Sequence, residues 1–63
     1  MEKTFDTDYG KITVRNIMID TDGTNLTDGT EIKGDDIHIE LMNYTEISEL
    51  TVEKLESMIK TTI

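Results

Sequence analysis

The sequence contains no cysteine, proline or tryptophan. Without cysteine there is neither a disulfide framework nor a thiolate metal site, so a disulfide-stabilised secreted scaffold is excluded. The longest uninterrupted apolar run is Ile17-Met18-Ile19, which is far too short to span a membrane. The first ten residues also lack the apolar region of a secretory signal. These absences predict a soluble, cytoplasmic protein.

Positive charge is scarce. Six Lys and Arg residues stand against fourteen Asp and Glu residues, which gives a formal net charge of −8. A surface of this sign repels phosphate, so direct nucleic-acid binding is not expected. The charge favours a basic partner, or it serves solubility alone. With 63 residues, the chain is expected to form one small domain, residues 1–63, near the lower limit for a core that folds alone.

The first half of the chain has the pattern of a β-hairpin. The segment "KITVRNIMI" at 11–19 is rich in β-branched residues and predicts a strand. The preceding "EKTF" can pair with it through a turn at Tyr9-Gly10. Ile17 and Ile19 lie on the opposite face from the earlier apolar residues, so both faces need cover near the strand end. That second apolar face is compatible with a homodimer.

A second hairpin follows in "TEIKGDDIHIEL", where two alternating runs are separated by Gly34-Asp35. Glycine in the first central place predicts a type II′ turn, whose twist matches the flanking strands. The apolar residues after the turn are expected to face the core. The resulting register places Lys33 opposite Asp36, Ile32 opposite Ile37, and Glu31 opposite His38.

The C-terminal segment "LTVEKLESMIKTTI" predicts a helix. Thr51 is the expected N-cap, and Leu50 and Leu55 have the spacing of a hydrophobic staple. A short turn at 45–50 is expected before the helix. The element order β-β-β-β-α predicts an α+β fold, a small antiparallel sheet of about four strands with one C-terminal α-helix packed on one face.

An acidic stretch of twelve residues, "DTDGTNLTDGTE", runs through the middle of the chain. Oxygen-bearing side chains occupy places 1, 3, 5 and 12 of an EF-hand calcium loop, namely Asp20, Asp22, Thr24 and Glu31. Asn25 stands at the sixth place, where that loop needs glycine, and strands rather than helices are expected on both sides. Helix–loop–helix calcium binding is therefore not expected.

The same stretch contains a six-residue repeat, "TDGTNL" followed by "TDGTEI". Each copy holds Asp-Gly, a dipeptide typical of tight turns, so two tandem turns between strands are predicted. The alternative is a weak calcium site, because carboxylates and backbone carbonyls are the hard oxygen ligands that calcium needs. Its candidate ligands are Asp20, Asp22, Asp28 and Glu31.

His38 is the only histidine, and the predicted register pairs it with Glu31. No serine is placed as a nucleophile, and no second histidine is present to share a metal. No glycine-rich loop ends in the Lys-Ser/Thr of a phosphate cradle. We therefore expect neither catalysis nor a cofactor, and a histidine on the sheet surface is the simplest interpretation.

Four glutamates follow one another at spacings of 3, 4 and 3 residues: Glu46, Glu49, Glu53 and Glu56. On one helix these spacings keep the carboxylates on one side, about 5 Å apart along the axis. That separation is near the phosphate repeat of a nucleic-acid strand, so the row could face a basic groove. The alternative is the ordinary charged outer face of an amphipathic helix. The predicted partner-binding residues are these glutamates together with Asp35 and Asp36 of the hairpin turn.

The size, the acidity and the lack of catalytic residues resemble those of small acidic inhibitors encoded by phages and mobile elements, including anti-CRISPR and DNA-mimic proteins. The resemblance implies a non-catalytic protein that occupies a basic, nucleic-acid-binding surface of a partner protein, in the host cytoplasm if phage-encoded. No motif carries the resemblance, so it assigns no residues. Two other functions stay open, a structural protein that self-associates through its sheet and a calcium module at 20–31.

Overall fold

The chain folds into a four-stranded antiparallel sheet with one C-terminal helix. The computed structural model describes residues 1–63. The strands lie in chain order across the sheet: β1 (Glu2–Thr7), β2 (Gly10–Asp20), β3 (Leu26–Lys33) and β4 (His38–Leu41). A 3-10 turn at Ile47–Glu49 leads to the helix α1 (Val52–Thr62). The predicted α+β architecture is confirmed.

The first hairpin joins β1 to β2 as predicted. Phe5 lies opposite Ile12, and Thr7 pairs with Gly10 at the turn. Gly10 has a φ of +93°, a conformation that costs glycine little and other residues more, whereas no other residue of this turn has a positive φ. The glycine thus makes the tight connection between the strands.

The second hairpin does not have its predicted register. Its loop spans 34–37 and is closed by a hydrogen bond of 2.7 Å from the Gly34 N–H to the Ile37 carbonyl oxygen. Gly34 has no positive φ, so the predicted type II′ turn is absent. Each residue of β3 is paired with a residue two places later in the chain than predicted. The observed pairs are Lys33 with His38, Ile32 with Ile39, and Glu31 with Glu40. A shift of two keeps every side chain on its face, so the predicted core face is unchanged.

The Asp-Gly repeat forms one turn, and the prediction of two was wrong. Asp22-Gly23 does lie in a turn, where Gly23 has a φ of +90°. Asp28-Gly29 lies inside β3. A Cβ atom at Gly29 would be 2.8 Å from the carbonyl oxygen of Leu41 and would overlap the side chain of Ile19. Glycine is needed there because other atoms approach the backbone closely.

The C-terminal helix begins as predicted. The Thr51 side chain accepts a hydrogen bond of 3.2 Å from the Lys54 N–H, which caps the first turn. Leu50 and Leu55, on either side of the cap, are both buried. No helix has the length and apolar content that crossing a membrane requires.

The core lies between the helix and one face of the sheet. Every strand, the 3-10 turn and the helix contribute to it. Its nine buried apolar residues are Phe5, Ile12, Val14, Ile32, Ile39, Ile47, Leu50, Leu55 and Ile59. Burial of one such side chain contributes roughly 1.5–3 kcal/mol relative to its exposure. The other face of the sheet carries polar and charged side chains near its centre, and it is called the open face below.

A two-stranded ribbon projects from the sheet. β1 pairs with β2 as far as Arg15, and β4 pairs with β3 from Thr30 onward, so most of 16–29 has a neighbouring strand on one edge only. Met18 and Leu26 are exposed on this ribbon. Ile17 and Ile19, predicted to need cover, are half-buried.

Candidate functional site

Most carboxylates of the protein have no ionic partner. Three of the fourteen, Asp6, Glu31 and Glu40, lie within 4 Å of a basic or histidine nitrogen, and the other eleven do not. Paired charges at a surface are largely neutralised, whereas unpaired ones add to the field that a partner meets. The unpaired carboxylates are therefore the first candidates for a binding surface.

The charge is also unevenly distributed along the chain. Residues 16–53 contain ten of the fourteen acidic residues and only one basic residue, Lys33. In the structure this stretch comprises the ribbon, most of β3, β4, the 3-10 turn and the start of the helix. The segments before and after it are close to neutral. This asymmetry was visible in the sequence, and a count of charge by segment would have found it.

The predicted row of glutamates is not one helical row. Glu46 and Glu49 lie in and beside the 3-10 turn, and only Glu53 and Glu56 belong to the helix. The backbone between the two pairs is extended at Leu50, with φ −74° and ψ 134°. The regular separation of about 5 Å along one axis therefore does not exist. The prediction was wrong because a capped helix start at Thr51 requires an extended chain just before it.

These glutamates differ in whether they form hydrogen bonds with other groups of the protein. Glu56 accepts a hydrogen bond of 2.6 Å from the Asp8 N–H, and Glu46 accepts one of 2.9 Å from the Ser48 hydroxyl. The Glu49 and Glu53 side chains are exposed and form neither a hydrogen bond nor a salt bridge. Glu49 and Glu53 are consequently the most available of the predicted partner-binding carboxylates.

Glu46 and Glu49 line a groove beside the helix. The groove has a volume of about 320 Å³ and is also lined by Tyr44, Lys54 and Met58. Tyr44 is 57% exposed, so the groove presents an aromatic ring beside two carboxylates. Lys54 lies more than 4 Å from both carboxylates and forms no salt bridge with them.

Asp35 and Asp36 lie elsewhere, in the exposed loop of the second hairpin. Asp35 lines a shallow cavity of about 460 Å³ on the open face, together with Lys11, Arg15 and Lys33. Half of the six basic residues thus gather on this face. The structure does not bring Asp35 into the groove of Glu46 and Glu49.

The acidic turn binds its own backbone. Asp22 accepts hydrogen bonds from the Thr24 N–H at 3.0 Å, the Asn25 side-chain amide at 2.8 Å and the Asn25 N–H at 2.8 Å. These donors lower the pKa of Asp22 to about 2, the Thr24 N–H having the largest effect. Asp20 accepts a hydrogen bond of 2.6 Å from the Gly23 N–H. Both carboxylates therefore stabilise the turn itself.

The predicted calcium ligands are not brought together. Asp28 pairs with Met18 on the side of the sheet that carries the core, whereas Glu31 pairs with Arg15 on the open face. Successive side chains of a strand alternate between faces, so these two residues, three apart on β3, point in opposite directions. Asp20 and Asp22 remain near each other in the turn.

Glu31 is the centre of a charged cluster on the open face. Arg15 Nε donates to Glu31 Oε1 at 2.6 Å, and His38 Nε2 lies 3.0 Å from Glu31 Oε2. The hydrogen bond from Arg15 is the main reason why the pKa of Glu31 is lowered. The same bond raises the pKa of Arg15. The predicted contact of His38 with Glu31 is present, on the diagonal rather than directly across the strands.

Arg15 and Glu40 were not identified as members of this cluster from the sequence. Glu40 Oε2 lies 3.8 Å from His38 Nε2. The alternation of side chains in the strands places all of these residues on one face, but the register between strands decides which of them meet.

Comparison with models of known protein families, with curated proteins and with solved structures found no match to this chain.

Proposed function

We propose that this chain is a non-catalytic acidic protein that binds a basic surface of a partner protein. The observation that supports the proposal is the concentration of ten acidic residues and one basic residue in 16–53, with most of those carboxylates unpaired. A field of one sign attracts a surface of the opposite sign and orients the encounter. The partner surface is rich in Lys and Arg.

The groove of Tyr44, Glu46 and Glu49 is the proposed centre of contact. Interfaces gain most of their affinity from a few buried anchors, among which tyrosine is common, and charged residues around the anchors set specificity. An exposed Tyr44 that lines the same groove as two carboxylates has this composition. Glu53, which is exposed and unpaired at the start of the helix, extends the acidic surface.

The partner surface that we propose is one that binds nucleic acid. Proteins that bind nucleic acid present clustered Lys and Arg to phosphates, and an acidic protein of complementary shape competes for the same cations. The protein would act as an inhibitor in the cytoplasm, as the general resemblance to phage-encoded acidic inhibitors implies. Competition with the partner's nucleic acid distinguishes this function from simple adhesion.

Capture of the partner followed by competition tests the proposal. Immobilised protein is exposed to an extract of the cells in which the protein acts, which are the host cells if it is phage-encoded, and the captured protein is identified and purified. We expect that addition of this chain releases labelled nucleic acid from the purified partner. A partner that binds this chain and its nucleic acid simultaneously would contradict the inhibitory part of the proposal.

A second candidate function is self-association through the ribbon. Met18 and Leu26 are 58% and 63% exposed there, and Ile17 and Ile19 lie on the other face of the same strands. Apolar side chains on both faces favour contact with a second apolar surface. Light scattering after size-exclusion chromatography gives the mass, and Ile17→Asp should convert any dimer to monomer. A monomeric wild-type protein would exclude this function.

A further inference from the structure

Three side chains able to bind a metal ion meet on the open face. One donor atom from each of Glu31, His38 and Glu40 lies within 4.8 Å of the other two. His38 Nε2 is 3.0 Å from Glu31 Oε2 and 3.8 Å from Glu40 Oε2. Donor atoms that share a zinc ion at about 2.1 Å lie roughly 3–3.5 Å apart. Small rotations of exposed side chains would therefore bring all three to coordination distance.

The sheet register places like charges opposite each other at this position. Glu31 lies directly across from Glu40, and two carboxylates in opposite positions destabilise a pair of strands. His38 lies two residues before Glu40, on the same face of β4. An imidazole in its neutral form brings no compensating charge to Glu40. Arg15 already compensates the charge of Glu31, and a cation between the three side chains would compensate the charge of Glu40 as well.

Arg15 holds Glu31 in a fixed position. Its Nε donates to Oε1, which leaves Oε2 directed toward His38. The side chain of Glu31 is only 10% exposed, whereas those of His38 and Glu40 are 55% and 52% exposed. Metal-binding carboxylates are commonly held by a hydrogen bond from a neighbouring residue. The arrangement thus consists of one largely buried ligand, which is hydrogen-bonded to Arg15, and two ligands that are exposed to solvent.

We propose that Glu31, His38 and Glu40 bind a first-row divalent cation of the zinc type. One imidazole nitrogen with two carboxylate oxygens suits Zn²⁺, whereas calcium and magnesium take oxygen ligands. Water completes the coordination, and the His38 ring carries its proton on Nδ1 when Nε2 binds the metal. The bound cation would link Glu31 of β3 to His38 and Glu40 of β4. The site is separate from the acidic groove described above.

Titration of the full chain with Zn²⁺ alone tests the site. We expect isothermal titration calorimetry at about pH 7.5 to show a single zinc ion per chain and thermal melts to show a higher Tm with zinc. His38→Gln and Glu40→Gln each remove one exposed ligand and should abolish both effects while circular dichroism stays unchanged. Glu49→Gln removes an exposed carboxylate outside the site and should bind zinc as the wild type does.

Two results would overturn the site. One is the absence of binding heat and of any rise in Tm for the wild type at about millimolar zinc. The other is equal binding by the wild type and His38→Gln, which would mean that scattered carboxylates bind the ion. Because the titration uses the metal and no partner protein, its failure leaves the proposed partner binding unaffected.

Discussion

The Glu56 carboxylate accepts a hydrogen bond from the Asp8 N–H at 2.6 Å, across 48 residues of sequence. The bond fastens the helix to the turn between β1 and β2. Glu53 lies one turn earlier on the same helix and makes no such contact. Two glutamates of the predicted row therefore have different roles. Glu56 stabilises the fold, and Glu53 is available to a partner.

Replacement of Glu56 should therefore cost stability where replacement of Glu53 does not. We expect Glu56→Ala to lower the free energy of unfolding by about 1 kcal/mol, because a hydrogen bond to a charged acceptor is lost. Glu53→Ala should remain within about 0.5 kcal/mol of the wild type. Urea unfolding followed by circular dichroism measures both. Equal losses in the two variants would show that the bond to Asp8 contributes nothing.

A larger loss of stability is predicted for the replacement of a core residue on the helix. Leu55 is fully buried, so Leu55→Ala should lower the free energy of unfolding by about 2–5 kcal/mol. The matched control is Leu26→Ala on the exposed ribbon, which should change it by less than about 0.5 kcal/mol. Thermal melts of the two variants test the contrast. Similar Tm values would contradict the packing of the helix on this face.

Gly29 should tolerate no side chain. Gly29→Ala places a methyl group against Leu41 and Ile19, and overpacking of this kind typically costs about 1–3 kcal/mol. Asp28→Ala, at the exposed neighbouring position, serves as the control and should have little effect. Unfolding in urea gives both values. A stable Gly29→Ala variant would mean that β3 and β4 lie further apart than in this structure.

The acidic turn should add a pH-dependent contribution to stability. The pKa of Asp22 is about 2 in the folded protein, below its ordinary value of 3.8. A depressed folded-state pKa contributes stability above the ordinary value and loses it as the pH falls through the folded-state value. The stability difference between the wild type and Asp22→Asn should therefore be constant above pH 3.8 and shrink toward pH 2.

Carbon NMR of the Asp22 carboxyl group measures this titration directly. We expect a midpoint near 2 in the wild type. The variant Thr24→Ala/Asn25→Ala lacks the side-chain donors but keeps the backbone donors, so its midpoint should rise part of the way toward 3.8. A wild-type midpoint at the ordinary value would show that the turn does not hold the carboxylate.

Much of the fold could be predicted from local patterns. Thr51 with its flanking leucines located the helix start, and alternation located the strands and their core face. The loop length at Gly34 could not be predicted, because a shift of two residues leaves every side chain on the same face. The role of Gly29 was missed for a related reason, since a glycine required by close packing looks like a turn glycine in the sequence.

The charged cluster was only partly predictable. The alternation of side chains led to the prediction that His38 contacts Glu31. The contact is present, although the predicted register between the two strands was wrong. Arg15 joins them from β2, and its position opposite Glu31 depends on the connection at 21–25 between two long strands. Local pattern fixes the face on which a side chain lies, whereas the cross-strand partner depends on turn geometry. For that reason the candidate metal ligands appeared only in the folded structure.

The central claim, that the groove of Glu46 and Glu49 together with Glu53 binds a basic partner, is tested most directly by two variants of equal charge change. One is Glu46→Gln/Glu49→Gln/Glu53→Gln, and the other is Glu2→Gln/Asp6→Asn/Asp8→Asn near the N-terminus. The Kd for the purified partner is measured for both at about 50 and 200 mM salt. We predict that the first variant loses binding and its salt dependence, while the second keeps both. Equal Kd values for the two variants, or a Kd insensitive to salt, would contradict the claim.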